Sequence, residues 1–239
     1  MKFGYLLVIL ILFNIFSSAS CADKSPPNVP QVSLPTTEKS RDTQNVELQP
    51  RGKGTVELVT APVHDGTHSA RLAIPEGYSF NEAARIAVPL DDITLNEITS
   101  LSYWCYIDEE TPNNAEGYWL PYITFELDTD GQPGCDTWII GGGGERLQSS
   151  SVWVKKTLES NWLFHVASVF TNYESPFPLI DMGTLTDIKA ATGPDGKTLL
   201  CDYPVSKIRL AIGNWGEGGP RGPVICYVDY IVCNGRLIF

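Results

Sequence analysis

The sequence YWLPYITFELDTDGQPGCDTWIIGGGG occupies residues 118–144 and predicts two β-strands joined by an acidic turn. Apolar and polar residues alternate through its first half, and side chains along a strand point alternately to opposite faces. One face would carry Trp119, Pro121, Ile123, Phe125 and Leu127. The other would carry Tyr122, Thr124, Glu126 and Asp128. The first set predicts a core face, and the second predicts an aromatic and acidic surface of the kind that meets a polar ligand.

Strand signals continue on both sides of this stretch. Runs rich in β-branched and aromatic residues, separated by turn sequences, predict further strands at Thr55–Thr60, Ser69–Ile74, Ala83–Val88, Ile98–Asp108, Ser151–Thr157, Trp162–Val169, Lys207–Gly213, Val224–Val232 and Arg236–Phe239. One short helix is predicted at Thr184–Ala191. Many short strands with little helix predict an all-β fold. Long connections around residues 171–179 and 213–223 favour a jelly-roll (Greek-key) β-sandwich over an up-and-down barrel.

The N-terminus has the three-part pattern of a secretory signal peptide over residues 1–20. A basic start precedes an apolar run that is shorter than the roughly 20 residues of a spanning helix, so cleavage is favoured over a membrane anchor. Cys21 follows small residues that resemble a lipobox, which makes a lipid anchor the less favoured alternative. Residues 21–53 are rich in Pro, Ser and Thr and predict a disordered linker, which leaves 54–239 as the folded domain. We therefore expect a secreted or cell-surface protein.

The formal net charge of −11 disfavours nucleic acid and anionic lipid surfaces as partners. Six cysteines are present: Cys21, Cys105, Cys135, Cys201, Cys226 and Cys233. In an exported chain such residues predict disulfides, although the sequence leaves their pairing open. Cys226 and Cys233 are an odd number of positions apart on one predicted strand, so they should face opposite sides and not bridge each other.

Two motifs at the ends of the domain resemble those of carbohydrate-binding, concanavalin-like jelly-roll modules. HDGTHSARL at 64–72 resembles a turn and strand near the start of these modules, and VICYVDYIVCNG at 224–235 resembles their final strand. The resemblance implies a structural calcium ion held by the matching residues Glu57, Asp65 and Asp229. The alternative is that Asp229 caps a turn through backbone hydrogen bonds, because an isolated acid in an apolar strand needs some partner.

Other chemistries find less support in the sequence. Residues 128–136 begin like a calcium loop, but they lack the later glutamate and include Pro133, so a plain acidic turn is favoured. Glu126 and Asp128 resemble the E-x-D motif of jelly-roll glycosidases, yet Gly131 stands where the acid/base is needed. No nucleophile elbow or phosphate loop is present, which disfavours a serine hydrolase or a nucleotide-binding protein.

Sorting the half-buried strands by parity gives a candidate ligand face, if those strands share a sheet. Its members are Trp104, Tyr106, Tyr122, Glu126, Trp153, Lys155, His165 and Arg209. Aromatic rings stack on sugars, while charges bond hydroxyls or uronates. We therefore expect a non-catalytic module that binds extracellular polysaccharide. A polysaccharide lyase, with Arg neutralising a uronate and Tyr or His moving the proton, is one alternative. A structural cell-surface protein, with the aromatics serving as packing, is the other.

Overall fold

The computed structural model describes residues 46–75, 82–111, 118–119, 121–131, 135–142, 146–147, 150–168, 183–213 and 223–239. The strands in these ranges are β1 Glu47–Arg51, β2 Thr55–Val59, β3 Ser69–Ile74, β4 Ala83–Thr94, β5 Leu101–Ile107, β6 Tyr118–Trp119, β7 Tyr122–Leu127, β8 Thr137–Gly141, β9 Arg146–Leu147, β10 Trp153–Thr157, β11 Leu163–Ser168, β12 Gly183–Thr184, β13 Pro204–Gly213, β14 Val224–Cys233 and β15 Arg236–Leu237. The predicted helix is α1, Leu185–Ala190, and 3-10 turns cover Leu95–Glu97 and Leu200–Asp202.

Two antiparallel sheets form a sandwich. Sheet A has the strand order β1-β4-β13-β7-β8-β11-β12, and sheet B has the order β10-β5-β14-β3-β2, with β15 paired to β14. Neighbours such as β4 and β13, or β3 and β14, come from distant parts of the chain, so the connections cross between the sheets. The predicted all-β jelly-roll sandwich with one short helix is confirmed.

The core lies between the two sheets and follows the predicted alternation. On β7, Ile123, Phe125 and Leu127 are fully buried. On β5, Leu101, Tyr103, Cys105 and Ile107 alternate with half-buried residues that face outward. Each fully buried aliphatic or aromatic side chain contributes about 1.5–3 kcal/mol. The core therefore fixes which side chains of each strand face away from it.

The predicted strand Trp119–Asp128 is divided at Pro121. Tyr118–Trp119 forms β6 and pairs with β9 in a separate two-stranded ribbon, whereas β7 belongs to sheet A. Proline has no N–H to donate to a ladder, so it interrupts the strand. The carbonyl of Pro121 instead accepts a hydrogen bond of 3.0 Å from the buried Tyr103 hydroxyl.

The folded part begins before the predicted boundary at residue 54. Strand β1 pairs with β4 from Glu47 opposite Ala87 to Arg51 opposite Ala83, so residues 47–53 of the predicted linker belong to the sandwich. An edge strand needs no apolar alternation and tolerates Pro50, which is why its composition resembles a linker. The predicted signal peptide (1–20) and the linker up to residue 45 lie outside the described residues. Within the described ranges, no helix is long and apolar enough to cross a membrane.

The cysteines differ from the prediction of disulfides. Five cysteines in the described part of the chain form no disulfide: Cys105, Cys135, Cys201, Cys226 and Cys233. Val228, not Cys226, is directly opposite Cys105, so these two core thiols are offset along paired strands. Burial raises the pKa of the Cys105 thiol to about 12 and the pKa of Cys226 well above its ordinary value. The buried thiols therefore act as small apolar core residues. Cys21 lies outside the described residues.

The prediction that Cys226 and Cys233 face opposite sides is wrong, although they do not bridge each other. Both side chains belong to the core between the sheets. The register of β14 shifts between Asp229 and Val232, and Tyr230 there has a φ of 52°. A β-bulge inserts one residue and reverses the parity of everything after it.

Candidate functional site

The eight predicted ligand residues divide between two opposite surfaces of the sandwich. Trp104, Tyr106, Trp153 and Lys155 lie on β5 and β10, on the outer face of sheet B. Tyr122, Glu126, His165 and Arg209 lie on β7, β11 and β13, on the outer face of sheet A. The premise that all these strands share a sheet is therefore wrong. Alternation shows which side of a strand a residue occupies, but it does not show which sheet the strand joins.

The aromatic side chains on sheet B are packed against one another. The His64 ring stacks on Trp104 with a centroid distance of 3.8 Å and an interplanar angle of 20°. Tyr106 is tilted by 53° against Trp153 at 5.6 Å and stands edge-on to Tyr227, also at 5.6 Å. These rings do not share a plane, and His64 covers one face of Trp104. This geometry is that of a packed aromatic cluster, not of a flat platform for a sugar ring.

Asp229 anchors the turn that carries His64. Its Oδ2 accepts hydrogen bonds from the backbone N–H groups of His64 (2.9 Å) and Asp65 (3.0 Å), and its Oδ1 accepts one from Tyr230 (2.7 Å). The residue is 4% exposed, and burial raises the pKa of its carboxyl. Of the two alternatives for Asp229, this is the arrangement expected of a backbone cap. The capped turn in turn fixes the position of the His64 ring on Trp104.

The other predicted calcium ligands have surface contacts of their own. Glu57 accepts a hydrogen bond of 3.0 Å from Arg71, with which it forms an exposed ion pair. Asp65 Oδ1 accepts the N–H of Gly66 at 2.8 Å. These contacts occupy the carboxylates without excluding an ion, so calcium at Glu57, Asp65 and Asp229 stays a prediction.

The acidic turn between β7 and β8 is held together from within. In the described part of the chain, Asp128, Asp130 and Asp136 form the group whose candidate metal-ligating atoms all lie within 4.8 Å of one another. Asp136 accepts the backbone N–H groups of Thr129 (3.1 Å) and Asp130 (3.0 Å). Asp128 accepts the N–H of Gly131 at 2.8 Å. These are the hydrogen bonds of a plain acidic turn.

Strand register arranges the outer face of sheet A around small residues. Ala211 on β13 lies between Arg85 on β4 and Tyr122 on β7. Two residues back along β13, Arg209 lies between Ala87 and Thr124, and Lys207 is beside Glu126. We call the surface formed by these side chains the polar face: Arg85, Ala87, Tyr122, Thr124, Glu126, Lys207, Arg209 and Ala211. Because alanine leaves room above the sheet, the longer side chains on either side can meet over it.

The polar face contains an ion pair with little exposure to solvent. The Nη2 atom of Arg209 contacts Oε1 of Glu126, and the two side chains are 16% and 4% exposed. Lys207 forms a second pair with Glu47 at 2.8 Å, in which the Glu47 side chain is 42% exposed. The Lys207 ammonium lowers the pKa of the Glu47 carboxyl. The buried pair therefore fixes the centre of the face, while the second pair lies at its solvated margin.

Two guanidinium groups on the polar face keep unpaired donors. The Nε atoms of Arg85 and Arg209 are buried and have no hydrogen-bond partner among the described residues. A buried donor left without an acceptor costs about 1–3 kcal/mol. Glu126 Oε1, which Arg209 Nη2 contacts in the ion pair, also lacks a hydrogen bond, so the polar face has both donors and an acceptor without hydrogen-bond partners among the described residues.

Tyr122 adds a hydroxyl next to these guanidinium groups. The Arg85 guanidinium and the Tyr122 hydroxyl lie close enough to interact. Burial raises the pKa of Tyr122 and lowers the pKa of Arg85. Tyr122 therefore stays protonated at neutral pH, while Arg85 stays charged as arginine does in proteins.

His165 lies on the same side of sheet A but far from this group. Register places Arg209 beside Thr124, Thr124 beside Ile140, and Ile140 beside His165. Three strand spacings of about 4.8 Å separate His165 from Arg209 by roughly 14 Å along the sheet. His165 and Arg209 therefore lie on the same face of sheet A but do not contact each other.

Sequence reasoning missed Arg85, although the signal was present. Arg85 is the one charged residue within the apolar run Ala83–Val88. Alternation along the strand places its side chain on the other face from the buried Ile86. A lone charge in a mostly buried strand indicates either a partner or a ligand. Glu47 was missed for a different reason, because its strand was assigned to the linker.

The chain matches no protein-family model, and no curated protein matches it. In structure it is similar to the family 11 carbohydrate-binding module from Clostridium thermocellum in complex with a β-1,3-1,4-mixed-linked tetrasaccharide (TM-score 0.47, 10% identity, 84% of this chain and 95% of that one). It is also similar to the CBM22-1 xylan-binding domain from Paenibacillus barcinonensis Xyn10C (TM-score 0.40, 14% identity, 82% and 87%).

A third similar structure is the endo-β-1,4-glucuronan lyase from the fungus Trichoderma reesei (TM-score 0.44, 14% identity, 79% of this chain and 90% of that one). The first two structures are carbohydrate-binding modules, the class of domain that the motifs at 64–72 and 224–235 resemble. The fold itself is assigned from the order and pairing of the strands: this chain is a jelly-roll β-sandwich with a polar face on sheet A.

Proposed function

We propose that this domain binds an extracellular polysaccharide on the polar face of sheet A and does not cleave it. The observation that carries the proposal is the pair of buried Nε–H groups on Arg85 and Arg209, which have no hydrogen-bond partner in the described part of the chain and lie near the Tyr122 hydroxyl. Sugar hydroxyl and ring oxygens are acceptors that would satisfy these donors. The similarity of the end motifs to carbohydrate-binding modules supports the same function.

The extent of the surface favours a chain over a small molecule. One outward-facing row crosses six strands of sheet A through Glu47, Ala87, Arg209, Thr124, Ile140 and His165. Five strand spacings of about 4.8 Å make this row roughly 24 Å long. Trp138, beside Glu126 in the adjacent row, adds an aromatic side chain on the same side. An oligosaccharide lying across the strands would contact the exposed members of this row, because Ala87 and Thr124 are themselves buried.

The lyase alternative finds partial support in the same residues. Arg85 and Arg209 could neutralise a uronate, and Tyr122 is near enough to Arg85 to share the site. However, burial raises the pKa of Tyr122, which opposes its use as the base. His165, the other candidate, is about three strand spacings from Arg209. Binding without cleavage is therefore the better-supported function.

A glycan array combined with an absorbance assay for unsaturated product tests the proposal. The variants are Arg85→Met on the polar face and, as the matched control on sheet B, Trp153→Phe. We expect the wild type to bind without forming product, Arg85→Met to lose binding, and Trp153→Phe to keep it. Loss in Trp153→Phe alone would place the site on the aromatic cluster. Product formation would establish the lyase, and no binding to any glycan would leave a structural role.

Two predictions from the sequence, export and a structural calcium ion, accompany the proposed function. Export requires that the mature protein lack residues 1–20, so an intact mass that retains them would contradict it. A structural calcium ion at Glu57, Asp65 and Asp229 would raise thermal stability in calcium over that in chelator. Metal analysis without bound calcium, together with unchanged melting in chelator, would leave Asp229 with its backbone cap alone.

A further inference from the structure

We infer that the polysaccharide is acidic, and that an anionic substituent binds between Arg85 and Arg209. This inference rests on the proposed function, because it names the class of ligand for the same site. The shared chemistry is an oxyanion that accepts paired N–H donors, as a uronate carboxylate or a sulfate ester does.

The local charge of the polar face is opposite to that of the whole chain. Among the described residues, six ionisable side chains interact on or beside the polar face: Arg51, Arg85, Lys207, Arg209, Glu47 and Glu126. These are four cations and two carboxylates, in a chain whose formal net charge is −11. A cationic surface on an acidic protein selects ligands of negative charge.

The carboxylates of Glu47 and Glu126 already form ion pairs with residues other than Arg85. Glu126 contacts Arg209, and Glu47 accepts from Lys207 at 2.8 Å. Among the described residues, no carboxylate interacts with Arg85, and its neighbours are the Tyr122 hydroxyl and the cations Arg209 and Arg51. A half-buried cation without a counter-charge is costly, so an anion bound beside Arg85 would be stabilised.

The register brings the two arginines close together. Arg85 is opposite Ala211, and Arg209 is opposite Ala87, so the two arginines are diagonal neighbours on paired strands. Diagonal neighbours are about 7–8 Å apart at the backbone, which long side chains span. The two alanines are short and fully buried, so the arginine side chains can approach each other above them. An oxyanion held between the two guanidinium groups would accept from the Nε–H groups, which have no partner among the described residues.

The test compares matched charged and neutral polymers by isothermal titration calorimetry. The anionic panel is polygalacturonate, alginate, hyaluronan and dextran sulfate; the neutral panel is fully methyl-esterified polygalacturonate, β-glucan, xylan and dextran. We expect at least one anionic polymer to bind and its uncharged form or counterpart to bind at least tenfold more weakly. Binding of the uronates alone would identify a carboxylate, and binding of dextran sulfate alone would identify a sulfate ester.

Substitutions of Arg85 test whether this residue determines the preference for anionic polymers. Arg85→Gln should weaken binding of the anionic polymer at least tenfold, and Arg85→Lys should retain part of it because the charge stays. Lys155→Gln, an exposed change on sheet B, is the matched control and should bind as the wild type does. Thermal melting verifies that each variant is folded.

Two results would overturn the inference in different ways. Equal or tighter binding of neutral polymers, or tight anion binding that Arg85→Gln leaves unchanged, would refute the anionic subsite and leave the proposed function standing. Absence of binding to every polymer in both panels would refute the proposed function together with the inference.

Discussion

Replacing Arg209 by methionine would leave the Glu126 carboxylate without its partner in a site where that side chain is 4% exposed. Breaking a buried ion pair from one side costs about 3–5 kcal/mol, because an uncompensated charge remains. A domain of this size loses roughly 2–4 °C of melting temperature per kcal/mol, so Arg209→Met should lower Tm by about 6–20 °C. The double variant Arg209→Met with Glu126→Gln should recover much of this loss, because it removes the stranded charge.

Urea denaturation followed by tryptophan fluorescence measures the stability lost in Arg209→Met and the stability recovered in the double variant, provided that the m-value stays constant across the variants. Lys207→Met is the matched control, since its partner Glu47 is 42% exposed and such pairs contribute about 1 kcal/mol or less. If Arg209→Met costs no more than Lys207→Met, or if the double variant is as unstable as the single one, the pair does not fix the centre of the polar face and the reasoning fails.

Three further predictions concern the unpaired cation, the buried acid and the thiols. In the absence of ligand, Arg85→Met should raise the free energy of unfolding by about 1 kcal/mol, because it removes a buried unpaired donor; a lower urea midpoint would contradict this. Burial raises the pKa of Asp229 above 3.8, so its ionisation opposes folding, and this contribution makes stability fall as pH rises from about 4. The difference in urea midpoint between the wild type and Asp229→Asn should therefore change across that range, and a constant difference would argue against it. At pH 8, Cys105 and Cys226 should resist thiol reagent until the protein is unfolded, because burial holds each thiol pKa high; rapid labelling of either, detected by peptide mass, would show that the core is open.

The alternation of residues predicted the faces of individual strands well. The inner sets of β5 and β7 are buried as expected, because a period of two is a local property of the chain. The bulge near Tyr230 could not be predicted, since it depends on how β14 pairs with β5. A local shift of one residue was enough to move Cys233 to the core.

The sequence could not predict which of the two sheets each strand joins, for the same reason. Trp104 and Tyr122 have the same outward parity, yet their strands join different sheets, because β5 pairs with β14 and β7 pairs with β13. β13 begins 77 residues after β7 ends, and β14 begins 117 residues after β5 ends, so no nearby residue encodes these partners. Of the eight proposed residues, Tyr122, Glu126 and Arg209 belong to the polar face, and His165 lies three strands away on the same sheet. The other four lie on sheet B.

The position of β14 in the middle of sheet B has a consequence for the order of folding. This strand lies between β3 and β5, and its Asp229 accepts the N–H of His64 from 165 residues away. Closing loops of that length costs entropy that must be offset before the native contacts form, so such topologies fold slowly. During synthesis, neither β3 nor β5 can pair with β14, the strand between them, until residues 224–233 have been made. Sheet B can therefore close only after nearly all of this chain has left the ribosome.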